Sequence, residues 1–378
     1  MKKELIETIF DPYNYPFWIM IISIIAGLII FTSRPFSTYI KFAYPNAKLE
    51  SIGNPYIKEK EINTLIESKT LKNFKESLNK DKEYMIKGET TDEIQKEIDE
   101  SFFTTLEMMK QDSSKKMKSF YETYQEKIDI YLVKKELKNK ILNDKIDDES
   151  IDKTLTKKIK KLLLNLQDSK KEDLSKILIN YGFSEKIDEI LNDKELDFLY
   201  LDNLIDRYII DKLEKTKVPY KCENAKKKYV KLLIDIQNIK NILRCNNLEY
   251  DKETYQKIYI GEGEEIAKWK YDELSEIKNI PEVISSLEGT TFYNPLKNAI
   301  EEYNKEKTIQ IFEKKLDNLF LHQIRDLSTQ YYVSIGPTLR FLISKEFEIK
   351  NLKIITKGIS ENINKNMIKK LLILEEAN

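Results

Sequence analysis

Between Tyr56 and Val218 the chain carries no proline and only two glycines, Gly88 and Gly182. That run is rich in Lys, Glu, Leu and Ile, which lose little side-chain freedom in a helix, and the residues that break helices are missing from it. The pattern predicts an all-α body. Segment Ala225–Arg244 makes it explicit: Tyr229, Leu232, Leu233, Ile236, Ile239 and Leu243 recur mainly at intervals of three and four, on one helix face. The polar stretches NDKIDDES (Asn143–Ser150) and QDSKKED (Gln167–Asp173) read as connections between helices.

Composition limits the function. A chain of 378 residues exceeds one small core, so two or three domains are expected. With 22 Tyr and 16 Phe the body is folded despite a mean hydropathy of -0.52. The 64 basic residues are matched by 64 acidic ones, so net charge offers no general attraction to nucleic acid or anionic lipid. Local runs such as KKIKK (Lys157–Lys161) read as solvated helix faces.

Cys222 and Cys245 stand 23 positions apart with no His or second Cys beside either. That excludes zinc and redox spacings and fits free thiols in a reducing compartment. No HExxH, GxSxG or GxxxxGK[ST] occurs, and the single histidine, His322, reads as a structural or surface residue. GEGEE (Gly261–Glu265) surrounds its glycines with carboxylates that would repel a phosphate, so it reads as a turn. No catalytic residue, cofactor, metal, small-molecule substrate or nucleic acid is expected.

The block from residue 12 to residue 33 contains no charge at all and centres on WIMIISIIAGLIIF (Trp18–Phe31). As a helix, Phe17–Ser33 spans roughly 25 Å against a hydrocarbon core of about 30 Å, and the aromatics Tyr13, Tyr15, Phe17 and Trp18 can anchor one end. A signal peptide fits poorly, because Glu4, Glu7 and Asp11 precede the block and no small-x-small cleavage site follows it. A buried core helix, apolar all round, would be unlike any other segment here. A transmembrane helix over about residues 17–33 is therefore expected. Arg34, Lys41 and Lys48 on its far flank place the body on the cytoplasmic side of the cell membrane.

Self-comparison finds a repeat. DIQNIKNI (Asp235–Ile242) matches EIKNLKII (Glu348–Ile355) as acid, Ile, any residue, Asn, aliphatic, Lys, any residue, Ile. A weaker relative, DIYLVKKE, begins at Asp129 and has Leu132 where the others have Asn. The starts are separated by 106 and 113 residues, which suggests three related helical units. In the two units that carry it, the motif Asn can satisfy a neighbouring backbone group, a packing role.

YPNAKLESIGNPYI after the apolar block, KLLIDIQNIKNILRCNN in the middle and, most specifically, YYVSIGPTLRFLISKEFEIKNLKIITKG resemble the C subunits of archaeal-type (V/A-type) rotary ATP synthases, which are relatives of the d subunits of vacuolar proton pumps. The resemblance runs from about Phe42 to the C-terminus. It implies three similar helical domains around a pseudo-threefold axis, funnel-like overall. It also implies a non-catalytic rotor socket that joins the proteolipid ring to the central shaft subunits, so that ion passage and ATP chemistry are coupled. The apolar block is not a general feature of that family. In a subunit that turns with the ring, the one membrane site compatible with rotation is the lumen of the ring.

The expected organisation is 1–35 for the N-terminal segment and 36–145, 146–255 and 256–378 for the repeats. Contact with partners is expected at motif positions Asn46, Lys48, Asp235, Asn238, Arg244, Gly336, Pro337, Lys345, Glu346 and Asn351. The competing reading is a membrane-tethered helical adaptor unconnected with a rotary motor.

Overall fold

The computed structural model describes residues 11–52, 59–80, 84–143, 145–193 and 196–374. Among these the regular structure is helical throughout, and no strand occurs. The long helices are α1 (Tyr15–Ile52), α2 (Thr91–Asp112), α3 (Lys118–Asn143), α4 (Phe198–Lys215), α5 (Glu223–Asn247), α6 (Gln310–Gln330) and α7 (Gly336–Ser360). Shorter helices fill the stretches between α3 and α4 and between α5 and α6.

Local chemistry sets the boundaries. Thr90 and Glu93 form a reciprocal capping box at the start of α2, and the Asp197 carboxylate accepts the N–H groups of Leu199 and Tyr200 at the start of α4. Pro337 occupies the first turn of α7, where its missing N–H costs nothing. The apolar stripe expected on α5 is buried, apart from a partly exposed Leu233. Ile94, Ile98, Phe102, Leu106 and Met109 form the matching stripe on α2. Each such side chain contributes about 1.5–3 kcal/mol by leaving water.

Three pairs result, α2–α3, α4–α5 and α6–α7, each joined by a connection of five to seven residues. Within each pair the helices pack together. Between pairs, α3 packs on α4, α5 on α6 and α7 on α2, so the six helices close into a ring.

Helix α1 divides into two parts. Thr38, Phe42, Asn46 and Leu49 form a buried stripe that seats its C-terminal part on α7 and α2. The most apolar eighteen-residue window, by contrast, has none of its residues buried. Ile19, Ile22, Leu28, Ile29 and Phe31 are each 58% or more exposed. A core helix is excluded for this segment.

Candidate functional site

The six ring helices enclose a cleft of about 480 Å³, lined by residues from every one of them. Five lysines and four carboxylates stand in its wall, and three of each are joined in ion pairs across the inter-pair joints. Lys134 of α3 meets Asp206 of α4, Lys240 of α5 meets Asp317 of α6, and Lys353 of α7 meets Asp99 of α2, each within 2.6 Å. The three lysines hold the same place, five residues after the acid, in the three copies of the repeated motif. The joints are therefore closed by one device used three times.

Asp99, Asp206 and Asp317 did not stand out in the motif comparison, yet the sequence does mark them. Each sits in an aliphatic–Asp–x–x–apolar–apolar pattern: Ile98 to Phe103, Ile205 to Ile210 and Leu316 to Leu321.

The other motif residues hold loops to helices. Asp235, fully buried, accepts the N–H groups of Glu264, Glu265 and Ile266, each at 2.9 Å. Burial pushes its pKa up to about 6 although those three donors pull it down. Gly263 lies so close that a Cβ there would stand 1.6 Å from the Asp235 Oδ1, so GEGEE is a turn built around this carboxylate. Asp129 holds the Leu155 and Thr156 N–H groups in the same way.

Asn238 donates to the Gly261 carbonyl and accepts from the Ile260 N–H, while Asn351 makes the same two-way exchange with Ile373. These two asparagines satisfy backbone groups as the sequence suggested. In the third copy Lys345 and Glu348 are buried together: the Lys345 ammonium donates at 2.7 Å, and the Tyr84 hydroxyl donates to the same carboxylate.

Glu346 faces the cleft and gathers three donors, Tyr124 at 2.8 Å, Lys127 at 2.6 Å and Lys350 at 3.3 Å. Burial pushes its pKa up, but Lys127 and Lys350 outweigh that and hold the carboxyl well below the usual range. Arg244 pairs with Glu313 across the α5/α6 joint at 2.6 Å.

The remaining predicted positions cluster where α1 is seated. Asn46 donates to the Tyr332 and Ser334 carbonyls at 3.0 and 3.1 Å, and Lys48 pairs with Asp112 at 2.6 Å. Gly336 lets the α6–α7 connection turn tightly: a Cβ there would lie 2.6 Å from the Ser328 carbonyl oxygen. Pro337 follows it as a helix start. Asn46, Asp235, Asn238, Gly336, Lys345 and Asn351 are thus buried, whereas Lys48, Arg244, Pro337 and Glu346 are only partly covered. His322 lies on α6, and among the described residues no group of three His, Cys, Asp or Glu is placed to hold a metal ion.

Residues 45–371 match the model of a protein family described as ATP synthase (C/AC39) subunit. Similar proteins include the C subunit of the A-type ATP synthase of Methanobrevibacter smithii, 27% identical over 91% of this chain and 90% of that protein. Its namesake from Methanosphaera stadtmanae is 26% identical over 92% of each. That of Methanocaldococcus jannaschii is 38% identical over 170 residues, 45% of this chain and 43% of that protein.

Proposed function

Because the chain belongs to the ATP synthase (C/AC39) subunit family, we propose that it serves in a rotary ATP synthase as the central-stalk socket that couples the shaft to the membrane proteolipid ring. The observation that carries this reading is the closed ring of six helices around one cleft, locked by three equivalent ion pairs. A part that passes torque needs a body that resists shear between its segments. A closed ring has no free edge at which to yield.

The reading treats the chain as three repeats around a pseudo-threefold axis, 36–145, 146–255 and 256–378, each holding one helix pair. It assigns the chain no catalytic step, since ATP chemistry and ion passage would fall to other subunits. The buried motif residues then act by keeping the socket rigid, and Lys48, Arg244 and Pro337 remain the positions from which a partner could be reached.

Orientation follows from the two ends. Toward the inter-helix turns the ring is filled by Tyr124 and Tyr229, neither of which has any exposed surface, so the cleft opens away from the turns. The end bearing α1 would face the membrane and the open end would face the shaft, with the body on the cytoplasmic side. A detergent pull-down of the tagged chain should recover proteolipid and shaft subunits together. Recovery of neither would overturn the reading.

A further inference from the structure

The turns that close α2–α3, α4–α5 and α6–α7 share one end of the ring, and α1 touches all three as it leaves. Its Lys48 pairs with Asp112 beside the first turn, its Thr38 hydroxyl donates to the Tyr220 carbonyl of the second, and its Asn46 holds Tyr332 and Ser334 of the third. Helix α1 thus crosses that end of the ring with one face, Thr38, Phe42, Asn46 and Leu49, against it, and its apolar block leaves from the same end.

What surrounds the point of emergence is equally specific. Residues 113–118 and 215–222 contain six lysines and no acid, although the whole chain is charge-balanced. Lys115, Lys116, Lys118, Lys215, Lys217 and Lys221 are all exposed, and none forms an ion pair among the described residues. The third turn is uncharged and exposes Tyr332 and Val333, and the second exposes Tyr220. This end therefore presents an apolar helix, exposed aromatic and aliphatic side chains on the second and third turns, and unpaired cations on the first and second.

The geometry points to a membrane-facing dock with an axial pin: Tyr15–Phe31 fills the lumen of the proteolipid ring against its inner wall, and the six lysines meet anionic groups on the ring's cytoplasmic rim. The inference rests on the rotor reading. An off-centre membrane helix would collide with the stator at each turn, whereas a central one moves with the rotor. Gly27, with no atom near its missing Cβ, leaves room for a wall helix to approach closely.

The test uses the assembled complex in native membranes, with a photo-reactive residue replacing Ile25. An adduct with the proteolipid is expected. An adduct with a stator subunit, or with no protein at all while shaft and proteolipid still co-purify, overturns the pin and leaves the rotor reading standing; loss of both partners sinks the rotor reading instead.

For the rim, Lys115, Lys116, Lys118, Lys215, Lys217 and Lys221 are all replaced by Glu, and retention on the ring is followed against salt. Retention should fall by roughly tenfold at moderate ionic strength with an unchanged melting curve. Unchanged retention overturns the rim contact, and a collapsed melting curve shows that the lysines serve the fold. Replacement by Gln then has to weaken retention without moving the melt, or the rim contact fails as well.

Discussion

Lys353 and Asp99 meet where the last helix of the ring closes on the first, 254 residues apart in sequence and joined by an ion pair shielded from most solvent. The ring is closed by the chain's two most distant halves.

Replacing Asp99 with Ala should therefore cost about 1–3 kcal/mol, because it leaves the Lys353 ammonium half-buried and unpaired. The double change Asp99→Ala, Lys353→Ala should cost less than the sum of the two single ones. Urea unfolding of the four proteins of the cycle gives the coupling, and strict additivity would mean that the pair does not lock the joint.

Gly263→Ala is expected to destabilise by about 2–4 kcal/mol, since the added methyl would occupy the place of the Asp235 carboxylate. Gly27→Ala is the contrasting change: no atom lies near its missing Cβ and its backbone is helical, so it should cost well under half as much. Equal melting temperatures for the two variants would contradict the close approach.

Glu346→Gln tests the cluster in the cleft through pH. The folded pKa of this carboxyl lies below its unfolded value of about 4.3, so its stabilisation is present above that pH and disappears as pH falls toward the folded value. The variant should be less stable than the parent by about 1–3 kcal/mol at pH 7, and the gap should narrow on acidification below about pH 4. A gap that stays constant down to pH 3 would show that Lys127 and Lys350 do not depend on the charge.

Asn46→Ala removes the donor to two carbonyls and should loosen the seat of α1 without melting the ring. Hydrogen exchange over residues 38–50 should accelerate several-fold while α5 and α7 keep their protection. Uniform acceleration everywhere would mean that α1 is part of the global core.

Much of the helical body was legible because its signals are local. The stripe on α5 and the break in the helix after Gln167 follow from spacing and composition alone, although Lys171–Asp173 forms a short 3-10 turn. The motif asparagines could be read too, since an amide on an otherwise apolar helix face has to find a backbone partner. What stayed hidden depends on residues meeting from afar. Asp99, Asp206 and Asp317 sit in a pattern that is ordinary in a sequence so rich in acids, and only the ring brings each to its lysine. Gly263 could be seen as a turn former, but the carboxylate that demands a glycine there lies 28 positions earlier. Tyr84 reaches Glu348 from 264 residues away, and no periodicity announces that.

Helix α1 runs from the apolar block into its seat, and Phe31 stands seven helical steps, roughly 10 Å, from the first buried anchor, Thr38. Pro35 lies in that interval and takes one N–H out of the helix ladder, so it is the point at which the rod can bend. If the apolar part lies in oil, the body has to stand almost flush against the membrane surface. A twist applied to the body then reaches the membrane through a short helical link with a single weak point, Pro35.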